Sequence, residues 1–149
     1  MPSDDSPLLV RKLSRRVPRT ALREFLARIT RQVTRGRQIV CLITDDRELR
    51  RLNRQFRGKN YATDVLSFPS ETASREGIGE IAISIDRAAS QATEHRHSLS
   101  NELRILMLHG ALHLAGFDHE KDSGEMASLE TRWRKRLGLP TGLIERSRR

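Results

Sequence analysis

The chain has 149 residues, of which 36% are hydrophobic and 32% charged, with one cysteine. These values fit one folded domain with a modest core, and they exclude a disordered composition, a bilayer span and an internal disulfide. The formal net charge of +9 points to a polyanionic partner.

The basic surplus is uneven. Residues 1–38 carry ten basic and three acidic side chains, residues 47–60 carry six and one, and the tail from 132 carries seven and one. The stretch 61–131 holds five basic residues. Arg far outnumbers Lys, so a general Arg bias accounts for the tails as readily as a ligand does. The start, MPSDDSPLLVRK, does not read as a secretory signal, and a lone cysteine suits a reducing compartment, so a cytoplasmic protein is expected.

Residues 1–7 read as frayed, and Leu8–Leu13 as a first strand. From Arg19, the positions Leu22, Phe25, Leu26, Ile29 and Val33 recur at helical spacing, with Gly36 just past the end. Ile39–Ile43 is a continuous apolar run and reads as a buried strand, with Cys41 in the core. Asp45 or Asp46 can cap the next helix; Asp45 and Glu48 have capping-box spacing. Leu49, Leu52 and Phe56 form that helix's apolar stripe, and Gly58 and Asn60 end it. Asp64–Phe68 is predicted as a strand closed by Pro69, Gly77 and Gly79 as a turn, and Glu80–Ile85 as an alternating strand. A helix is expected from Asp86 to about His95. Leu99–Ala115 is apolar most of the way round, as a helix buried in a domain is, and Gly116 stops it. A last helix runs from about Asp122 to Leu137, and residues 141–149 read as a flexible, Arg-rich tail. The sum predicts a single domain over 1–149 of α+β class: a small mixed sheet of about four strands, about five helices, and one buried helix at its centre.

The informative segment is HGALHLAGFDH, residues 109–119. His109 and His113 are four apart, so a helix places them one turn apart on one face. Gly116 lets the chain turn, after which His119 can return to the same point. Three imidazoles around one cation leave a fourth position open, the arrangement of a catalytic zinc site. Two of the rings interrupt an otherwise apolar helix, where imidazoles would be costly without a partner. His95 and His97 lack this context and are expected to be exposed. The spacing matches that of metzincin proteases, but the residue after the first histidine is Gly110 where those carry a glutamate base.

With LNRQFRGKNYATDVLSFP at 52–69 and GEIAIS at 79–84, the histidine segment resembles the bacterial YbeY family of metal-dependent endoribonucleases, also called rRNA maturation factors. Ala62 and Glu80 stand where that family commonly has Pro and Asp. The resemblance implies metal ligation by His109, His113 and His119, one divalent ion per chain with zinc first in line, and a functional arginine at Arg57. It implies single-strand-selective cleavage of RNA in 16S rRNA 3′ end processing and ribosome quality control, and the ribosome or its small subunit is the expected partner. Arg57 can grip phosphate oxygens with its planar fork, or be a solvated member of a basic face. Arg50, Arg54 and Lys59 are assigned to general phosphate attraction. Asp118 or Glu120 can relay a proton or orient a ligand histidine, and Asp118 equally can cap the turn after Gly116. Two rivals stand beside this reading: a zinc-containing RNA-binding assembly factor without chemistry, and a metallopeptidase-like hydrolase.

Overall fold

The computed structural model describes residues 7–11, 16–70 and 77–147. In chain order the elements are β1 (Leu8–Val10), α1 (Arg19–Gln32), β2 (Gln38–Thr44), α2 (Asp46–Arg57), β3 (Val65–Pro69), β4 (Gly77–Ser84), α3 (Ile85–Glu94), α4 (Leu99–Leu114), α5 (Glu125–Arg136) and α6 (Leu143–Ser147). The sheet has the order β1-β2-β4-β3 and is mixed: β1, β2 and β4 run parallel, and β3 pairs antiparallel with β4. This is the expected α+β class with a four-stranded mixed sheet. The described part of β1 ends at Val10; residues 1–6 and 12–15 lie outside the described residues.

Alternation along the strands separates two cores. Ile39, Cys41, Ile43, Ile81 and Ile83 point to one face, where they meet Leu22, Leu26 and Ile29 of α1 and Leu103, Leu106 and Met107 of α4. Ala82 and Leu66 point to the other face and meet Leu49 of α2. Helix α4 is buried nearly all round, which is why its sequence lacks a polar stripe. Burial pushes the Cys41 thiol up to about 12, so it is a core residue and not a reactive one. None of the described helices is long and apolar enough to cross a membrane.

Local chemistry sets the ends. Asp45 accepts the Glu48 amide at 2.9 Å, so Asp45 and not Asp46 caps α2. Ser84 accepts the Arg87 amide at 3.2 Å, which places Ile85 in α3 and ends the strand one residue before its predicted end. Gly77 and Gly79, expected in a turn, instead begin β4. A β-carbon on Gly79 would sit 2.5 Å from the Phe68 carbonyl oxygen, so the pairing with β3 needs glycine there. The predicted tail is described as far as Ser147, and α6 buries Ile144 within it.

Candidate metal centre and its cavity

Helix α4 carries His109 and His113 on one face. Gly116, at φ +104°, turns the chain out of the helix, and His119 comes back beside them. The ring centroids are 4.8 Å apart for His109–His113, 5.3 Å for His109–His119 and 5.4 Å for His113–His119. One nitrogen from each ring lies within 4.8 Å of the others.

The remaining nitrogens identify the tautomers. His109 Nδ1 is 2.8 Å from Glu130 Oε2, and His113 Nδ1 is 3.0 Å from the Phe117 carbonyl. A carboxylate and a carbonyl only accept, so each Nδ1 carries the proton and donates it. In the neutral ring each Nε2 then keeps its lone pair for a cation. His119 Nδ1 is buried with no hydrogen-bond partner among the described residues, which is costly unless a ligand takes it. His113 is held below its ordinary value of 6.5, first by burial and then by the neighbouring His109 and His119, so the neutral, ligating form is favoured. The donor set fits a divalent ion that accepts imidazole.

Glu130 is 1% exposed, and it was not singled out in the sequence. Its Oε1 accepts the Ile144 amide at 2.8 Å while Oε2 holds His109. One buried carboxylate thus joins α4, α5 and α6. A signal was available: Glu130 stands four residues after Met126 on the apolar stripe of α5, where an acid has no reason to be unless it is paired.

The histidines border a cavity of about 550 Å³ that Arg57, Lys59, Tyr61 and Asp118 also line. Arg57 ends α2, and its Nη2 donates to the Ser67 carbonyl at 3.0 Å. Ser67 Oγ donates to the Gly110 carbonyl at 3.3 Å, so α2, β3 and α4 are tied together at the cavity. Arg50 bonds Asn60 Oδ1 at 3.1 Å; neither Arg50 nor Arg54 borders the cavity. Asp118 Oδ1 accepts the Glu120 amide at 3.1 Å, which is the turn-capping alternative. Gly110 has a packing reason: a β-carbon there would lie 2.9 Å from Ile81 Cδ1. His95 is exposed, but His97 is not as expected. Its side chain is 8% exposed and lies 2.6 Å from Glu102 Oε1, because the fully buried Glu102 needs partners.

The profile of the family Endoribonuclease YbeY matches residues 10–138. The chain belongs to the YbeY endoribonuclease family. The chain is 54% identical over 143 residues to Endoribonuclease YbeY of Solibacter usitatus, covering 96% of this chain and 95% of that one. It is 49% identical over 140 residues to the YbeY of Koribacter versatilis, covering 94% and 91%. Among solved structures, the solution structure of TM1509 from Thermotoga maritima matches with a TM-score of 0.54 at 27% identity, covering 87% of this chain and 93% of that one. The YbeY match ends at residue 138, so the α6 side of the Glu130 contact lies beyond it.

Proposed function

We propose that this chain is a single-strand-specific, metal-dependent endoribonuclease of the cytoplasm, acting on precursor rRNA at the small ribosomal subunit in 16S 3′ end maturation and ribosome quality control. One observation carries the reading: three imidazoles converge at a cavity that Arg57 and Lys59 also line. The metal ligands are His109, His113 and His119, and the ion is Zn2+. A zinc ion bound there supplies Lewis acidity toward a phosphodiester and lowers the pKa of water to about 7.

The protein's own groups do the rest. Glu130 and the Phe117 carbonyl hold the His109 and His113 rings with Nε2 presented to the site. The Arg57 guanidinium, tethered by one nitrogen to Ser67, offers its other N–H groups to non-bridging phosphate oxygens. Lys59 adds a positive charge in the cavity, and Arg50 and Arg54 add charge outside it, which draws the RNA backbone in. A peptidase is disfavoured, because Gly110 carries no base and leaves no room for one beside Ile81.

The test uses two variants, with metal content measured on protein purified without added metal. His113→Ala is expected to lose zinc and cleavage of single-stranded RNA together. Arg57→Glu is expected to keep zinc and lose cleavage. A metal-free His113→Ala protein that cuts RNA at the normal rate would overturn the mechanism.

A further inference from the structure

The loop after α2 is fixed at four points. Gly58, at φ +67°, closes the helix and donates its amide to the Arg54 carbonyl at 3.1 Å. The Lys59 amide donates to the Asn53 carbonyl at 3.3 Å, and Arg50 Nε donates to Asn60 Oδ1 at 3.1 Å. Asn53, only 2% exposed, donates its side-chain amide to the Tyr61 carbonyl at 2.8 Å. Tyr61 is thus presented by a backbone anchored in the protein, yet the residue itself is 54% exposed. Among the described residues only Phe56 is another large hydrophobic this exposed, and it packs against Phe68 with ring centroids 5.2 Å apart. Tyr61 instead borders the cavity of the three histidines, together with Arg57 and Lys59.

We infer that Tyr61 is a stacking platform for one unpaired nucleobase of the RNA, next to the phosphate that is cut. The inference rests on the endoribonuclease reading and deepens it. Nucleobases carry a π-face whatever their identity, so a ring at this position binds RNA without reading its sequence. In a duplex that face is covered by neighbouring base pairs, so the platform favours single strands. The anchored loop lowers the ordering cost of binding, as pre-organisation does. The cations beside it take the flanking phosphates.

The experiment compares wild type, Tyr61→Ala, Tyr61→Phe and Tyr61→Trp, loaded with zinc, on a single-stranded RNA. It adds copies of that RNA made abasic at each nucleotide flanking the cleavage site. Tyr61→Ala is expected to raise KM about tenfold with kcat within about twofold, as loss of one stacked base does. Tyr61→Phe and Tyr61→Trp are expected to keep the wild-type KM. One abasic RNA is expected to cost wild type the same factor and Tyr61→Ala nothing more. RNA affinity by fluorescence anisotropy reads the platform without cleavage, so the two readings fail separately. Wild type that binds but never cuts RNA overturns the enzyme. Unchanged affinity and KM in Tyr61→Ala, or equal losses in Tyr61→Phe and Tyr61→Ala, overturn the platform.

Discussion

Glu130 Oε2 accepts a hydrogen bond from His109 Nδ1 at 2.8 Å, with both side chains almost wholly buried. The other carboxylate oxygen is occupied by the Ile144 amide, so Glu130 cannot turn away from His109 without leaving a buried N–H unpaired. A glutamine retains only one carboxamide oxygen for these two donors. Glu130→Gln is therefore expected to weaken zinc binding by about 10–100-fold, the usual effect of losing such a partner. Competition with a chromophoric chelator measures it. Zinc affinity equal to wild type would show that His109 needs no orienting group.

Gly110 lets α4 pack closely on Ile81 of the sheet. A β-carbon would lie 2.9 Å from Ile81 Cδ1 and 3.0 Å from Ile81 Cγ2, within the buried core. Gly110→Val is expected to cost about 2–3 kcal/mol by overpacking. Urea denaturation of the metal-free protein checks this. The Gly110 carbonyl accepts from Ser67 Oγ, so a shift of α4 also disturbs the strand that tethers Arg57. Loss of RNA cleavage is expected to accompany the loss of stability.

The three histidines were legible because their geometry is local: a spacing of four on a helix, then a glycine turn. Arg57 and Lys59 reach the same cavity by tertiary packing of α2 and the loop after it, and only the family resemblance marked Arg57 in advance. Glu130 is 21 residues from His109, and spacing carries no information over that distance. Helix α6 has five residues, too few to show a period, and its place is set by Glu130 and Glu102. Phe56 fits the apolar stripe of α2 yet is 60% exposed, because the second core is small; its ring rests against Phe68. His97 was misread since its partner, Glu102, looks on paper like an ordinary charge in the first turn of α4.

Burial of His113 beside His109 and His119 is expected to make the metal-free protein sensitive to acid. His113 titrates below its ordinary value of 6.5 in the folded chain, through burial and the neighbouring His109 and His119, with Asp118 opposing. Above that value both folded and unfolded chains leave His113 neutral, and it contributes no pH dependence. As pH falls below 6.5 the unfolded chain binds the proton first, so stability is lost until the folded value is passed. Melting temperature of chelator-treated protein is expected to fall between pH 7 and pH 5.5, and His113→Gln is expected to flatten that slope. A slope the same in both proteins would assign the effect elsewhere. With zinc bound the dependence is expected to steepen, because protons compete with the ion for the ligating nitrogens.

The buried pair of Arg146 and Glu102 fastens α6 to α4. Glu102 is 0% exposed and the Arg146 side chain 7%, with Arg146 Nη1 donating to Glu102 Oε1 at 2.8 Å. Taking these charges out of water is costly, and their mutual bonds, with His97 on Glu102 and Gln91 on Arg146, offset it. Removing one side alone is the damaging change. Arg146→Met is expected to destabilise the protein by about 3–5 kcal/mol, because Glu102 stays buried with half its partners gone. The double variant Glu102→Leu, Arg146→Met is expected to recover most of that loss, since apolar residues of similar volume replace the pair without an orphaned charge. Denaturant titrations of the four proteins in a mutant cycle give the coupling. The Arg146→Met variant is also expected to bind zinc less tightly, because a loosened α6 frees the Ile144 amide that steadies Glu130 behind His109. Full stability in Arg146→Met would show that α6 is held by its other contacts, the Ile144 amide on Glu130 and the Arg134–Glu145 pair, and unchanged zinc affinity would show that the metal centre does not feel the end of the chain.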